Sequence, residues 1–179
     1  MSKKVLVIST SLRKNSNSEA LADEFARGAK DAGHEVEKIS LTDKKIGFCR
    51  GCFACLERGR CVIQDDALDI VEKMHDAEVI AFATPIYYYE MSGQMKTLLD
   101  RANSLYDSDY VFGDIYLLSA AAEDRAGVDD RAASGLEGWV TCFERARMKG
   151  TVFAGGVNEA GDIKEHKSLA EAYETGRNV

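Results

Sequence analysis

A chain of 179 residues with 45% hydrophobic and 30% charged residues, 15 glycines, one proline and no low-complexity tract carries enough apolar content for a packed core, which excludes a disordered or fibrous chain. Twenty-three basic against 30 acidic residues give a formal net charge of −7, and no basic stripe with interleaved aromatics is present, which argues against nucleic acid as a partner. The apolar run after MSKK is too short for a signal segment with a cleavage site, and no later run is long enough to span a bilayer, so a cytoplasmic location without membrane partners is expected.

In chain order, Val5–Ile8 is a β-branched run that suits a strand buried on both faces. Ser16-x-x-Glu19 forms a capping box before Leu21, Phe25 and Ala29 at helical spacing. His34 to Ser40 reads as an edge strand, Ala67 to His75 as a short helix and Glu78 to Ala83 as a buried strand. Met91 to Asn103 reads as a helix, Asp114 to Ser119 as a strand, Arg131 to Lys149 as a long helix, Thr151 to Ala154 as the last strand and Ile163 to Gly176 as a closing helix. Repeated strand–helix alternation without linkers implies one domain over residues 1–179, an α/β fold with a doubly wound parallel sheet covered on both faces. The ligand site of such a sheet lies beyond the carboxyl ends of its strands.

Two turns fall there. Ser9 to Ser18 is a loop of hydroxyls and amides feeding a helix N-terminus, suited to a phosphate, although it is neither G-x-G-x-x-G nor a P-loop. The alternative is a polar loop with a good helix cap. Thr84-Pro85-Ile86-Tyr87-Tyr88-Tyr89-Glu90 places three tyrosines in one turn, where a planar ring system would stack or a second subunit would pack.

Between the second strand and the next helix, residues 47–66 form an insertion with Cys49, Cys52, Cys55 and Cys61 at the spacing C-x2-C-x2-C-x5-C. Where thiols stay reduced, this spacing suits an iron-sulfur cube, with zinc second; free packing thiols or a thiol relay beside Arg50, Arg58 and Arg60 remain alternatives. Cys142, inside the expected long helix, reads as a buried small apolar residue.

The blocks VLVISTSLRKNSNSEALA, FCRGCFACLERGRCVIQDD and VIAFATPIYYYEMSGQMKTLLDR, in that order, resemble the NADPH-dependent FMN reductase and iron-sulfur flavoprotein group of flavodoxin-like proteins. The resemblance implies a three-layer sandwich with a five-stranded sheet of order 2-1-3-4-5 and FMN at its carboxyl edge. It implies an FMN phosphate held by the Ser9 loop through Ser11, Arg13, Asn17 and Ser18, isoalloxazine lined by Pro85, Ile86, Tyr87 and Tyr88, and a third flavin loop at Ser119, Ala120 and Ala121. Thr10-Ser11-Leu12 departs from the Gly-Ser-Pro frequent in relatives.

It further implies an oxidoreductase that takes electrons from NAD(P)H to flavin, quinone or another small acceptor, working as a homodimer or homotetramer. The alternative is an FMN/[4Fe-4S] electron carrier serving a redox protein, with the cluster on the four cysteines. No catalytic side chain beyond the flavin is required.

Overall fold

The computed structural model describes residues 1–179. Strands β1 (Lys4–Ser9), β2 (Glu35–Ser40), β3 (Val79–Tyr87), β5 (Asp114–Ala120) and β6 (Arg147–Ala154) form a parallel sheet in the order β2-β1-β3-β5-β6, and β4 (Glu90–Met91) pairs antiparallel with the end of β3. Counting the parallel strands alone, this is the expected order 2-1-3-4-5. Alternation along β1 explains its uninterrupted apolar run. Val5 and Val7 pack beneath helices α1 (Asn17–Asp31) and α6 (Lys167–Arg177), while Leu6 and Ile8 pack under α3 (Ala67–Asp76), α4 (Gly93–Arg101) and α5 (Asp130–Thr141). β2 pairs only with β1, as an edge strand does, and its outer residues are largely exposed; the short helix α2 (Ala54–Arg58) follows it in the chain.

The capping box forms by half. Ser16 Oγ accepts the Glu19 N–H at 3.2 Å, but the Glu19 carboxylate turns outward to Lys38 Nζ at 3.4 Å. On the same face, α1 and α6 approach so closely that Gly28 and Gly176 meet the opposite backbone without an intervening side chain.

Several expected boundaries shift. Met91 belongs to β4 and α4 starts at Gly93, with Ser92 as its cap, whereas Ala102–Leu105 tightens into a 3-10 turn. The expected helix from 131 to 149 stops at Thr141, and β6 begins at Arg147. An aromatic cluster terminates it: Phe143 packs edge-on to Tyr110 and Phe112, 5.2 and 5.1 Å between centroids, and Trp139 lies 4.5 Å from Phe143. Pulling Phe143 inward leaves Cys142 at the helix end and exposed, not buried within a helix. The expected closing helix is likewise divided, into the 3-10 turn Asp162–Glu165 and α6, by the extended backbone of His166, whose ring accepts the Ser168 N–H.

No helix is long and apolar enough to cross a membrane.

Candidate functional site

The strand ends converge on a cleft of about 230 Å3 lined by Ser11, Arg13, Ser16, Asn17, Ser18, Pro85, Ile86, Tyr87, Ala120–Ala122, Val157 and Asn158. One wall is polar. Asn17 and Ser18 open α1, so their backbone N–H groups have no acceptor within the helix and, with the serine hydroxyls, form a donor set suited to a phosphate. Thr10, the departure noted in the sequence, ties this wall to the next: its hydroxyl bonds Ala83 O and Ser92 Oγ, each at 3.0 Å, while the Ser92 N–H donates to Thr84 Oγ1 at 3.0 Å. These buried hydroxyls fix the loop after β1 against the hairpin after β3.

Two apolar walls face the donor set. Pro85, Ile86 and Tyr87 form one, at the end of β3, and Ala120, Ala121 and Ala122 form the other, following β5. Small alanines and a hairpin edge leave a slot for a flat ring, so the residues present fit a phosphorylated planar cofactor such as FMN.

The expected residues divide accordingly. Ser11, Arg13, Asn17, Ser18, Pro85, Ile86, Tyr87, Ala120 and Ala121 come together at the cleft. Tyr88 does not: it sits at the hairpin tip, outside the lining and 97% exposed. Ser9 and Ser119 lie beneath the lining, fully buried, with the Ser119 hydroxyl donating to Asp129 Oδ2 at 2.8 Å and Ser9 Oγ unpartnered.

The sequence reading missed the loop after β6. Arg13 Nη1 donates to Asn158 O and Nη2 to Glu159 Oε2, both at 2.6 Å, and Asn17 Nδ2 donates to Glu159 O at 3.0 Å. Asn17 Oδ1 also accepts the N–H groups of Gly161 and Ile163 at 3.2 and 3.3 Å. The guanidinium of Arg13 therefore holds the loop after β1 to the loop after β6, and Asn17 acts as a clasp between them. The segment GGVNEAGD was the available signal.

The histidines are structural. His34 Nδ1 accepts the Lys3 N–H, His166 caps α6, and His75 lies between Asp76 and Asp109 at 2.7 and 2.9 Å. The bonded Asp76 carboxylate, and then Asp109, raise the His75 pKa from its ordinary value.

The cysteine loop lies away from this cleft, against the carboxyl end of α4. Cys49, Cys52, Cys55 and Cys61 line a cavity of about 430 Å3 together with Cys142, Trp139 and Phe143. No three thiols converge as a single metal ion requires. Cys55 Sγ accepts the Asn103 Nδ2–H at 3.2 Å and Cys49 Sγ the Gly51 N–H at 3.4 Å. The loop's ends are held by Arg101, whose side chain is inaccessible to solvent. It forms a two-pronged pair with Asp65 at 2.6 and 2.9 Å and donates to Gly47 O and Ile63 O at 2.8 and 3.2 Å. A larger cavity of about 520 Å3 lies behind it, between α3 and the 3-10 turn. Neither of these spaces receives the ends of the strands, and a third of about 600 Å3, which borders Leu12 and Leu41 past the ends of β1 and β2, includes neither the opening residues of α1 nor the walls after β3 and β5; the smaller cleft alone brings those together.

The profile described as NADPH-dependent FMN reductase matches residues 3–156. An iron-sulfur flavoprotein of Methanocaldococcus jannaschii is 40% identical over 102 residues, 57% of this chain and 53% of the relative. One of Archaeoglobus fulgidus is 36% identical over 98 residues, 55% of this chain and 44% of the relative. The chain spans about half the length of these curated relatives. An NAD(P)H:quinone oxidoreductase from Methanothermobacter marburgensis superposes with a TM-score of 0.74, covering 99% of each chain at 17% identity, a likeness of fold.

Proposed function

Because the chain belongs to the NADPH-dependent FMN reductase family, we propose that it is an FMN-dependent oxidoreductase passing electrons from NAD(P)H to a small acceptor. The observation that carries this reading is the cleft: the open N-terminus of α1 faces two apolar walls at the carboxyl ends of β3 and β5. Bound FMN would supply hydride acceptance from the nicotinamide and onward transfer of one or two electrons.

The chain's own residues bind and orient. Ser11, Asn17 and Ser18, with the first N–H groups of α1, would hold the phosphate, and the helix dipole adds to the attraction. Pro85, Ile86, Tyr87, Ala120 and Ala121 would enclose the ring and exclude water from its faces. Backbone N–H groups between Pro85 and Tyr89 would lie where negative charge gathers on reduction. Ser9 and Ser119 support this surface from below, and no acid–base side chain is assigned a step.

A phosphate cradle predicts selectivity. FMN is expected to bind about a hundredfold more tightly than riboflavin, since hydrogen bonds to a charged group contribute roughly 1.5–3 kcal/mol each. Fluorescence quenching of both flavins measures the ratio, and equal affinities would remove the phosphate from the reading. Asn17→Ala is expected to lower FMN affinity about tenfold through loss of the clasp to Glu159, Gly161 and Ile163.

A second reading, an FMN/[4Fe-4S] electron carrier between redox proteins, is supported by the names of the relatives and by the spacing of Cys49, Cys52, Cys55 and Cys61, whose thiols share a cavity without converging. Iron and sulfide content of protein purified without oxygen decides it: cube stoichiometry favours the carrier, and flavin without iron favours the reductase. Assembly as a homodimer or homotetramer is supported by the exposed Phe48, Phe53, Leu56 and Tyr106, and light scattering reads it directly.

A further inference from the structure

Tyr88 and Tyr89 occupy both central positions of the two-residue turn between β3 and β4, where Ile86 pairs with Met91 and Tyr87 with Glu90. Their φ angles are +51° and +67°, so both lie in the left-handed region that such turns normally fill with Asn and Gly. Bulky aromatic residues reach it only when something outside the turn compensates for the strain.

For Tyr89 the compensation is visible. Its hydroxyl donates to Glu123 Oε2 at 2.9 Å, and the guanidinium groups of Arg125 and Arg131 lie 5.9 Å from its ring centroid. Glu123 directly follows the Ala120–Ala122 wall, so this contact ties the hairpin to the opposite side of the cleft. Tyr88 has no such partner. Its ring is 97% exposed and meets nothing in the chain, immediately after the cleft residue Tyr87.

We propose that Tyr88, at the tip of the hairpin whose Pro85–Tyr87 arm lines the cleft, is the stacking platform for a planar conjugated electron acceptor, a quinone or a second flavin, presented by a turn strained for that purpose. This rests on the cleft being the FMN site. In the reaction served, NAD(P)H is oxidised to NAD(P)+ with transfer of two electrons and one proton. A quinone takes up those electrons and two protons, the second from solvent, and leaves as hydroquinone. Tyr88 touches the acceptor ring and moves no proton.

The test compares the wild-type chain with Tyr88→Asn and Tyr88→Phe, each loaded with FMN, using NADPH as donor and either menadione or ferricyanide as acceptor. Asn adopts left-handed backbone readily, so Tyr88→Asn is expected to raise Tm by about 2–4 °C. It is also expected to lower the ratio of menadione to ferricyanide kcat/KM about tenfold. Tyr88→Phe keeps the ring and is expected to keep both wild-type values. An unchanged ratio or Tm in Tyr88→Asn, or a fall of the ratio in Tyr88→Phe, overturns the proposal. So does a change in the mass of Tyr88→Asn by light scattering, which would assign the ring to a second copy of the chain. Failure of the wild-type chain to take up FMN would instead overturn the reading of the cleft.

Discussion

Arg101→Met is expected to lower stability by about 3–5 kcal/mol, because removing one partner of a buried ion pair leaves an uncompensated charge. Arg101 has no accessible side-chain surface and Asp65 has 11%. Four donor contacts from the two terminal nitrogens of Arg101 close residues 47–65 into a loop against the end of α4. The same substitution is therefore expected to expose the cysteines. Thermal unfolding should show Tm falling by about 10 °C, and thiol titration should show faster reaction at Cys55 and Cys61, which are half-buried in the native chain. Replacing both partners, Arg101→Met with Asp65→Leu, is expected to recover much of the stability, since no buried charge then remains. A double variant as unstable as the single one would mean that the contacts to Gly47 O and Ile63 O, not the ion pair, carry the anchor.

The pair also sets an acid limit. Burial opposes the Asp65 charge, but the Arg101 guanidinium and the N–H groups of Gly47 and Ala67 outweigh it and hold the carboxyl below its ordinary value. A carboxyl depressed on folding contributes stability that is complete above its unfolded pKa, about 3.9, and is lost as pH falls through the lower folded value. The anchor thus persists at neutral pH and fails only in strong acid. Asp65→Asn should flatten the dependence of stability on pH below about 4.

Gly176→Ala is the second large effect. A Cβ at Gly176 would stand 2.0 Å from Phe25 O, and one at Gly28 would stand 2.0 Å from Tyr173 O and 2.9 Å from Arg177 N. These are backbone atoms, so neither clash is relieved by rotating a side chain; α1 and α6 must separate. Overpacking ordinarily costs roughly 1–3 kcal/mol, and this placement belongs at or above the upper end. Because α1 carries Asn17 and Ser18 at its other end, the shift should also weaken FMN binding. Gly138→Ala gives the contrast, since its Cβ would meet nothing within 4 Å and the helix gains up to about 1 kcal/mol. Calorimetry of Gly176→Ala, Gly28→Ala and Gly138→Ala checks the order. If Gly176→Ala is as stable as Gly138→Ala, the helix contact is looser than described.

The buried strands were legible because apolar runs such as Val5–Ile8 and Val79–Ala83 suit burial on both faces, and the loops at their ends carried the hydroxyls and aromatics, whereas the order of the sheet came from the resemblance to flavodoxin-like proteins. Boundaries failed where tertiary packing overrode local pattern: Phe143 ends α5 by joining Trp139 of the same helix to Tyr110 and Phe112 of the segment before β5. Arg101 looked like an ordinary basic residue in the last turn of a helix, and only the return of residues 47–65 onto α4 makes it an internal anchor. The part of Asn158 and Glu159 was likewise invisible, because it depends on the loop after β6 meeting the loop after β1. Three tyrosines in a row signalled a turn that stacks on a planar ring or packs on a second subunit, yet sequence could not tell that Tyr87 lines the cleft while Tyr88 is exposed at the hairpin tip beside it.

Anaerobic mixing of the FMN-loaded chain with NADPH, followed by visible absorbance, reads whether the carboxyl edge holds FMN where NAD(P)H can reduce it. FMN is expected to stay with the protein through gel filtration, and its yellow absorbance to bleach on adding one equivalent of NADPH. Flavin that washes away, or that stays bound and oxidised in excess NADPH, would contradict that expectation.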